Sequence, residues 1–374
     1  MGKTKYNNRI LWILLVMIVW YVLLIAPILH LPYEILMQSL DLSPSMYFIL
    51  GMYGAVIVDI ITLIILCCCF KKKNLPILKS FRLGHNPDFC ELARSQGRAS
   101  LEPDELVTYN NTWKFLLTGL VLGFLTNFIG VAAALIHGDI KLVLDFSANG
   151  IPVMLLALFC VLIQSSSEEF WCRGLMYERI NVHYPLWVSI LVNGVFFGLL
   201  HVFNPGVSVM AIFNIVICGI SYSMLRWYSG SMWICMGIHA GWNFTQNFIF
   251  GLPNSGIVSE TSIFRLDAAN GVSNLVYDFD FGVEGGIFAF LADFLIIVVI
   301  LYMAKRTGRL GELKMTKEQR ARQLFPEAYA AEAAPETTPA ETEKAAEEKI
   351  EAEEFAAEQI TENFGQDLGS TSEF

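Results

Sequence analysis

Long apolar stretches separated by polar segments dominate the sequence. A membrane-spanning helix needs about 20 apolar residues, and eight stretches have roughly that length. They cover residues 10–30, 46–70, 114–136, 150–172, 185–203, 207–226, 231–250 and 285–304. The pattern therefore predicts an all-α fold, a polytopic membrane bundle of about eight transmembrane helices.

The composition supports a membrane protein and excludes one class of partner. Hydrophobic residues make up 55% of the chain and charged residues only 16%, which is more apolar than an ordinary soluble domain. No basic tract with interleaved aromatic residues is present, so we expect no nucleic-acid partner. The cysteines show no metal or disulfide spacing, and the cluster Cys67–Cys69 is interpreted as a packing or lipid-facing group.

The distribution of basic residues orients the predicted bundle. Residues 1–9 contain three Lys or Arg and residues 71–113 contain seven, whereas residues 251–284 contain only Arg265. The positive-inside rule then predicts a multi-pass protein of the cell membrane with both termini in the cytoplasm. The first apolar run, residues 10–28, is interpreted as an anchor because no small-residue cleavage site follows it.

These features divide the chain into four regions. We expect an N-terminal two-helix membrane region with a basic cytoplasmic loop over residues 1–113 and a central membrane domain over 114–250. An extracytoplasmic loop and the last transmembrane helix follow over 251–310. Residues 311–374 are predicted to form an acidic low-complexity cytoplasmic tail, because the sequence is rich in Ala, Glu, Pro and Thr from about residue 326.

Three charged residues interrupt one of the apolar stretches. The apolar run 151–163 is followed by Glu168, Glu169 and Arg173. A charge at membrane depth costs on the order of 2.5–3.5 kcal/mol and usually indicates function. Glu169 and Arg173 are four residues apart and share a helix face, which predicts an ion pair. Glu168 lies about 100° away around the helix and is the candidate general base. The alternative is ordinary surface charge at a cytoplasmic helix end.

Polar residues also recur at helical spacing in two later stretches. Asn193, Phe197 and His201 are four residues apart, so they lie on one face of the fifth predicted span. His239 and Asn243 have the same spacing on the seventh span, and both can donate hydrogen bonds. Taken alone, each set is compatible with helix packing or interhelical hydrogen bonding.

A helix-breaking turn places two of these residues at the same depth. His183-Tyr184-Pro185 is expected to end one helix and begin the next. Glu168 lies sixteen residues before Tyr184, and His201 lies seventeen residues after it. In a helical hairpin the two side chains therefore lie nearly level, as a catalytic pair across antiparallel helices requires.

The motifs Glu-Glu-x-x-x-Arg, Phe-x-x-x-His and His-x-x-x-Asn, in this order, resemble those of the CPBP membrane proteases. These include type II CAAX prenyl endopeptidases and the bacteriocin-processing or bacteriocin-immunity proteins of the Abi family. The resemblance covers about residues 114–250 and implies that this region is the catalytic membrane domain. It implies a catalytic role for Glu168, His201, His239 and Asn243, and a supporting role for Glu169 and Arg173.

The resemblance predicts an intramembrane glutamic-type endopeptidase that hydrolyses protein or peptide substrates at the lipid bilayer. In this hypothesis Glu168 and His201 activate water, and His239 and Asn243 stabilise the oxyanion. We expect no cofactor. Zinc is disfavoured because the sequence lacks His-Glu-x-x-His and spreads the candidate ligands over three helices. Two further functional classes are compatible with the sequence. One is a non-catalytic scaffold or bacteriocin self-immunity protein of the same fold, and the second is a proton-coupled transporter.

Overall fold

Helices form most of the part of the chain that the structure describes. The structure is a computed structural model, and it describes residues 35–54, 82–85, 109–146, 150–269 and 271–324. The predicted span 10–30, most of the span 46–70, the cluster Cys67–Cys69 and the chain beyond residue 324 lie outside these residues.

The described elements include nine helices and two small pairs of strands, besides a helical stretch over residues 35–39. The helices are α1 (Pro44–Gly54), α2 (Trp113–His137), α3 (Ile151–Glu169), α4 (Tyr177–His183), α5 (Leu186–Leu200), α6 (Val209–Ser229), α7 (Met232–Phe244), α8 (Ile287–Arg306) and α9 (Lys317–Leu324). A π-helical segment, Phe170–Met176, joins α3 to α4, and a second, Thr245–Ile249, follows α7. Strand β1 (Gly84–His85) pairs with β2 (Asn110–Asn111), and β3 (Ile140–Leu144) pairs with β4 (Phe264–Ala269), both antiparallel. The fold is mostly helical, as the apolar pattern predicts.

Four helical segments are long and apolar enough to cross a membrane. They are Trp113–His137, Ile151–His183, Val209–Ser229 and Ile287–Arg306. These segments correspond to the spans predicted from residues 114, 150, 207 and 285. Two other predicted spans are shorter in the structure, because α5 has 15 residues and α7 has 13 before the helix changes to π geometry. These four segments support a membrane protein. The total of eight spans and the cytoplasmic location of both termini stay predictions.

Glycines allow α2 and α7 to pack with their backbones in contact. A Cβ atom at Gly119 would lie 2.4 Å from the Ile234 carbonyl oxygen, and one at Gly237 would lie 2.3 Å from the Leu116 oxygen. Gly123 and Gly241 repeat the arrangement one turn further along. Small residues at a spacing of four favour such close contact between membrane helices. The contact fixes α7, the helix that carries His239 and Asn243.

The chain after α8 folds back on the α4–α5 hairpin. A 3₁₀ helix, Arg309–Lys314, precedes α9, and the backbone N–H of Leu186 donates to the carbonyl of Met315 at 3.0 Å. Lys317 Nζ lies 3.0 Å from Glu178 Oε2. Residues 309–324 therefore pack against the bundle, and the low-complexity tail predicted for residues 311–374 stays a prediction for the part outside the described residues.

The segment between α7 and α8 also folds against the helices. The pairing of β4 with β3 holds its middle, and a 3₁₀ turn, Val283–Gly285, holds its end. Asn214 Nδ2 donates to the carbonyls of Glu284 and Gly286 at 2.7 and 2.9 Å. This predicted extracytoplasmic loop thereby brings Glu284 against α6 and α7.

Candidate active site

The glutamate pair lies where α3 changes to π-helical geometry. Glu168 and Glu169 are the last two residues of α3, and the π-helical segment begins at Phe170. Such segments frequently occur at functional sites. The two side chains have different surroundings, because 26% of the Glu168 side chain is exposed and none of Glu169 is. The structure therefore separates the two acids, as their positions on the helix predict.

Glu169 is buried between a cation and an imidazole ring. Its Oε1 accepts a hydrogen bond from Arg173 Nη1 at 2.9 Å, so the predicted ion pair is present. The same oxygen lies 2.9 Å from His239 Nδ1. The Arg173 guanidinium also lies 4.3 Å from the ring centroid of Phe197, which is favourable for a cation–π contact. Glu169 thus connects α3 to α7 and helps to orient His239.

His239 lies between the two glutamates. Because a carboxylate only accepts hydrogen bonds, the Nδ1 atom that contacts Glu169 carries a proton. The other nitrogen, Nε2, lies 3.8 Å from Glu168 Oε2, which is too long for a direct hydrogen bond. The ring is therefore anchored on one side and close to the candidate base on the other.

Glu168 has one oxygen with a hydrogen-bond partner and one without. Its Oε1 accepts a hydrogen bond from Gln164 Nε2, one helical turn earlier. Its Oε2 has no hydrogen-bond partner among the residues that the structure describes. Gln164 therefore orients the carboxylate, and Oε2 is a buried acceptor.

His201 lies at the C-terminal end of α5, after the hairpin turn that the sequence predicts. Its Nδ1 lies 2.8 Å from the carbonyl oxygen of Phe197, which requires a proton on Nδ1 and leaves Nε2 as an acceptor in the neutral ring. The Phe197 ring packs against both His201 and His239, with centroid distances of 4.9 and 5.8 Å.

A cavity of about 50 Å³ adjoins these groups. A cavity of this volume can hold a few water molecules, because one water needs about 10–15 Å³ of cavity volume. Its walls come from α5, α6, α7, α8 and the segment before α8. The lining residues are Phe197, His201, Asn214, Ile215, Cys218, Tyr222, His239, Trp242, Asn243, Ser255, Glu284, Ala289 and Asp293. Glu168 is not among them and lies beside the cavity, next to His239.

Asn243 offers a hydrogen-bond donor to this cavity. Its Oδ1 accepts from Asn254 Nδ2 at 3.3 Å, which identifies the other amide atom as Nδ2. That Nδ2 has no hydrogen-bond partner within the described part of the chain. Asn193, in contrast, is fully buried and donates to the carbonyl of Cys172, so it joins helices and does not line the cavity.

Residues 150–245 match a family model described as type II CAAX prenyl endopeptidase Rce1-like. This segment is similar to that family and is called the Rce1-like domain below. The match includes all four candidate catalytic residues and agrees with the resemblance that the three motifs carry. It covers about a quarter of the 374 residues. No curated protein matches the chain. No solved structure matches it either.

Two carboxylates beside the Rce1-like domain were not predicted from the sequence. Glu284, in the segment before α8, accepts hydrogen bonds from Trp242 Nε1 at 3.2 Å and Asn254 Nδ2 at 2.7 Å. It also accepts from the backbone N–H and the hydroxyl of Ser255, at 2.8 and 3.3 Å. These donors favour the carboxylate, but burial outweighs them and raises the pKa of Glu284 to about 7.

The second is Asp293 on α8, which is 8% exposed. The hydroxyl of Ser221 on α6 donates to its Oδ1. Asp293 is the only charged residue between Ile287 and Ala304, so a lone acid in an apolar run was the available signal. Glu284 gave no comparable signal, because in the sequence it is one of several acids in a loop.

The hydrogen bonds of the two histidines limit which of their nitrogen atoms could bind a metal ion. Nδ1 of His201 and Nδ1 of His239 both already contact protein oxygens. Among the residues that the structure describes, no group of three or more His, Cys, Asp or Glu side chains is placed to hold a metal ion. Metal independence stays a prediction.

Proposed function

We propose that the Rce1-like domain is an intramembrane endopeptidase that hydrolyses peptide bonds with water activated by Glu168 and His201. The matched family is a family of proteases, which supports a hydrolase that acts on peptides in a membrane setting. One observation carries the finer proposal. Glu168, His201, His239 and Asn243 come from three separate parts of the chain and gather at or beside one cavity.

The first step of the proposed reaction uses the oxygen of Glu168 that has no hydrogen-bond partner. Oε2 removes a proton from a water molecule while Gln164 holds Oε1. His201 can accept a hydrogen bond from the same water through Nε2, because its Nδ1 proton is given to the carbonyl of Phe197. The hydroxide then attacks the peptide carbonyl. General base catalysis of this kind typically contributes about 10²–10⁴-fold to the rate.

The second step requires donors for the oxyanion. The Nδ2 group of Asn243 can donate without any change of protonation. His239 donates from Nε2 only when its ring is doubly protonated, because its Nδ1 proton is directed to Glu169. One such donor is typically worth about 10²–10³ in rate. Glu168 then returns its proton to the leaving amine, and no covalent enzyme intermediate forms.

Glu169 and Arg173 act in this proposal by positioning. The buried pair fixes one side of His239, while Glu168 lies on the other side at 3.8 Å. A shift of about 1 Å in a catalytic group can cost about 100-fold in rate. The pair therefore contributes to catalysis without touching the substrate.

We propose that this reaction needs no metal. Hydrolysis is expected to keep its rate after the purified protein is dialysed against EDTA. Loss of activity on dialysis with recovery on adding zinc would contradict metal independence, and would leave the role of Glu168 to be judged from its variant.

The experiment that tests the function compares the purified full chain with its Glu168→Gln variant. Incubation with a membrane-protein fraction, followed by mass spectrometry of new peptide termini, identifies cleavage products. Wild type is expected to generate termini that Glu168→Gln does not. Glu318→Gln is the matched control, because Glu318 is 42% exposed and pairs with Arg322 on α9. No new termini from wild type would instead favour a non-catalytic scaffold or immunity protein, and the same termini from Glu168→Gln would contradict the role of Glu168.

A further inference from the structure

The cavity beside the candidate catalytic residues is rich in hydrogen-bond acceptors. Asn214 is 3% exposed and lines the cavity, and its Nδ2 is occupied by two backbone carbonyls. Because carbonyls accept hydrogen bonds, the amide atom that contacts them is Nδ2, and the other amide atom is Oδ1. This Oδ1 is buried and has no hydrogen-bond partner among the described residues. A buried acceptor without a partner costs about 1–3 kcal/mol, so the site favours a ligand that donates to it.

Asp293 places a second acceptor in the same cavity. Its Oδ1 accepts from Ser221, and its Oδ2 has no hydrogen-bond partner in the part of the chain that the structure describes. Arg173 already binds Glu169 and the carbonyl of Gly219. Glu284 differs, since protein donors occupy both of its oxygens. Asp293 is therefore the carboxylate that can receive a ligand.

The two acceptors lie at different depths. Asn214 is fixed beside Gly286, whereas Asp293 is held by Ser221. Asn214 and Ser221 are seven residues apart on α6, and this corresponds to about 10 Å along the helix. Ile215 and Ala289 contribute apolar wall to the cavity. The space is thus a slot with an acceptor at each level and a wall that is partly hydrocarbon.

We propose that this slot is a substrate subsite that binds a lysine side chain, with its ammonium group at Asp293. The methylene groups of such a side chain suit the apolar walls, and a backbone N–H of the substrate suits Asn214 Oδ1. The inference extends the proposed peptidase function by naming the class of residue beside the scissile bond. It assigns binding roles to Asp293 and Asn214, which lie on α8 and α6.

Binding can be tested without any cleavage. The probes are butylammonium, which is the side-chain analogue of lysine, and butanol as its neutral counterpart. Their affinities are measured by calorimetry on the purified full chain carrying Glu168→Gln. Butylammonium is expected to bind about ten- to a hundredfold more tightly than butanol, as for a hydrogen bond to a charged group. The affinity ratio should fall to about one when Asp293→Asn is added.

Two further variants make the binding result specific. Asp145→Asn makes the same change of charge at a side chain that is 63% exposed and outside the cavity, so the ratio should be unchanged. Ala289→Leu fills the slot and should abolish binding of both probes. Melting curves identify any variant that does not fold. An equal affinity of wild type for the two probes, or an ammonium preference that survives Asp293→Asn, would overturn the subsite.

A kinetic measurement then connects the slot to the reaction. For each position near a cleaved bond, two peptides are compared that differ only in carrying lysine or norleucine there. The value of kcat/KM is measured for both peptides. One position is expected to favour lysine about ten- to a hundredfold, and this preference should disappear in Asp293→Asn. No preference at any position would overturn the subsite while leaving the peptidase intact. Absence of all cleavage would contradict the peptidase, and the affinity ratio of the two probes would still decide whether the slot binds a cation.

Discussion

His239 Nδ1 and Glu169 Oε1 meet at 2.9 Å, although 70 residues separate them in the sequence. This contact joins α3 to α7 at the level of the candidate base. Since Arg173 holds the same oxygen of Glu169, the guanidinium, carboxylate and imidazole form one chain of contacts. This series of contacts ends at Nε2 of His239, which lies 3.8 Å from Glu168 Oε2. The placement of His239 therefore depends on a residue that need not touch substrate.

Replacing Glu169 by glutamine tests this dependence. Glu169→Gln keeps the volume but leaves the fully buried Arg173 without its carboxylate, so the free energy of unfolding should fall by about 3–5 kcal/mol. Among molecules that remain folded, kcat for peptide cleavage should fall by up to about 100-fold, because a neutral amide holds Arg173 and His239 less firmly than the carboxylate does. Chemical denaturation and initial-rate kinetics measure the two effects. A variant within about 1 kcal/mol of wild type with unchanged kcat would show that the pair is dispensable.

The glycine contact between α2 and α7 gives a second prediction. A methyl group at residue 237 would lie 2.3 Å from the carbonyl oxygen of Leu116. Gly237→Ala should therefore push the helices apart, lower the free energy of unfolding by about 1–3 kcal/mol and reduce activity by displacing His239. Thermal unfolding and cleavage rates measure the change.

Gly51 in α1 supplies the matched control, because a Cβ there would meet no atom within 4 Å. Gly51→Ala should leave activity unchanged and raise stability by up to about 1 kcal/mol. Equal effects of the two substitutions would contradict the close-packing account.

The sequence predicts the parts of the site that depend on helix periodicity. Glu169 with Arg173, and Glu168 level with His201, follow from spacings of four residues and from the turn at Pro185. The contact of His239 with Glu169 does not follow, because nothing in the sequence specifies how α7 rotates against α3. Glu284 is missed for a related reason, since a loop acid enters the site only through the folding of residues 251–286. Asp293 could have been noticed as a lone charge in an apolar run.

The docking of α9 gives a third prediction. Lys317 and Glu178 are each 4% exposed and lie 3.0 Å apart, and Arg226 contacts the same carboxylate. Lys317→Met should lower the free energy of unfolding by about 1–3 kcal/mol, less than the loss of a sole partner, because Arg226 remains. It should also speed proteolysis within residues 309–324. Arg322→Met is the control, since its pair with Glu318 is exposed and worth about 0–1 kcal/mol. Similar effects of both changes would argue against docking.

Glu284 predicts a pH dependence of stability. Burial raises the pKa of this carboxyl from 4.5 to about 7, so the folded state binds more protons than the unfolded state between these values. The contribution of Glu284 to stability is therefore fully present below about pH 4.5 and is lost as the pH rises through 7. The loss is on the order of 3 kcal/mol.

Denaturation at a series of pH values compares wild type with Glu284→Gln. Wild type should lose more stability than Glu284→Gln between pH 5 and 8, whereas Glu318→Gln, a control at an exposed pair, should follow wild type. Parallel curves for wild type and Glu284→Gln would contradict the assigned pKa.

The central claim is that Glu168 activates water for peptide hydrolysis. The most direct measurement is cleavage by the purified protein in water enriched in oxygen-18, with mass spectrometry of the new carboxyl termini. Wild type is expected to produce fragments that carry one heavy oxygen after a single turnover. Glu168→Gln should slow their formation about 10²–10⁴-fold. Labelled fragments formed by Glu168→Gln at the wild-type rate would contradict the account.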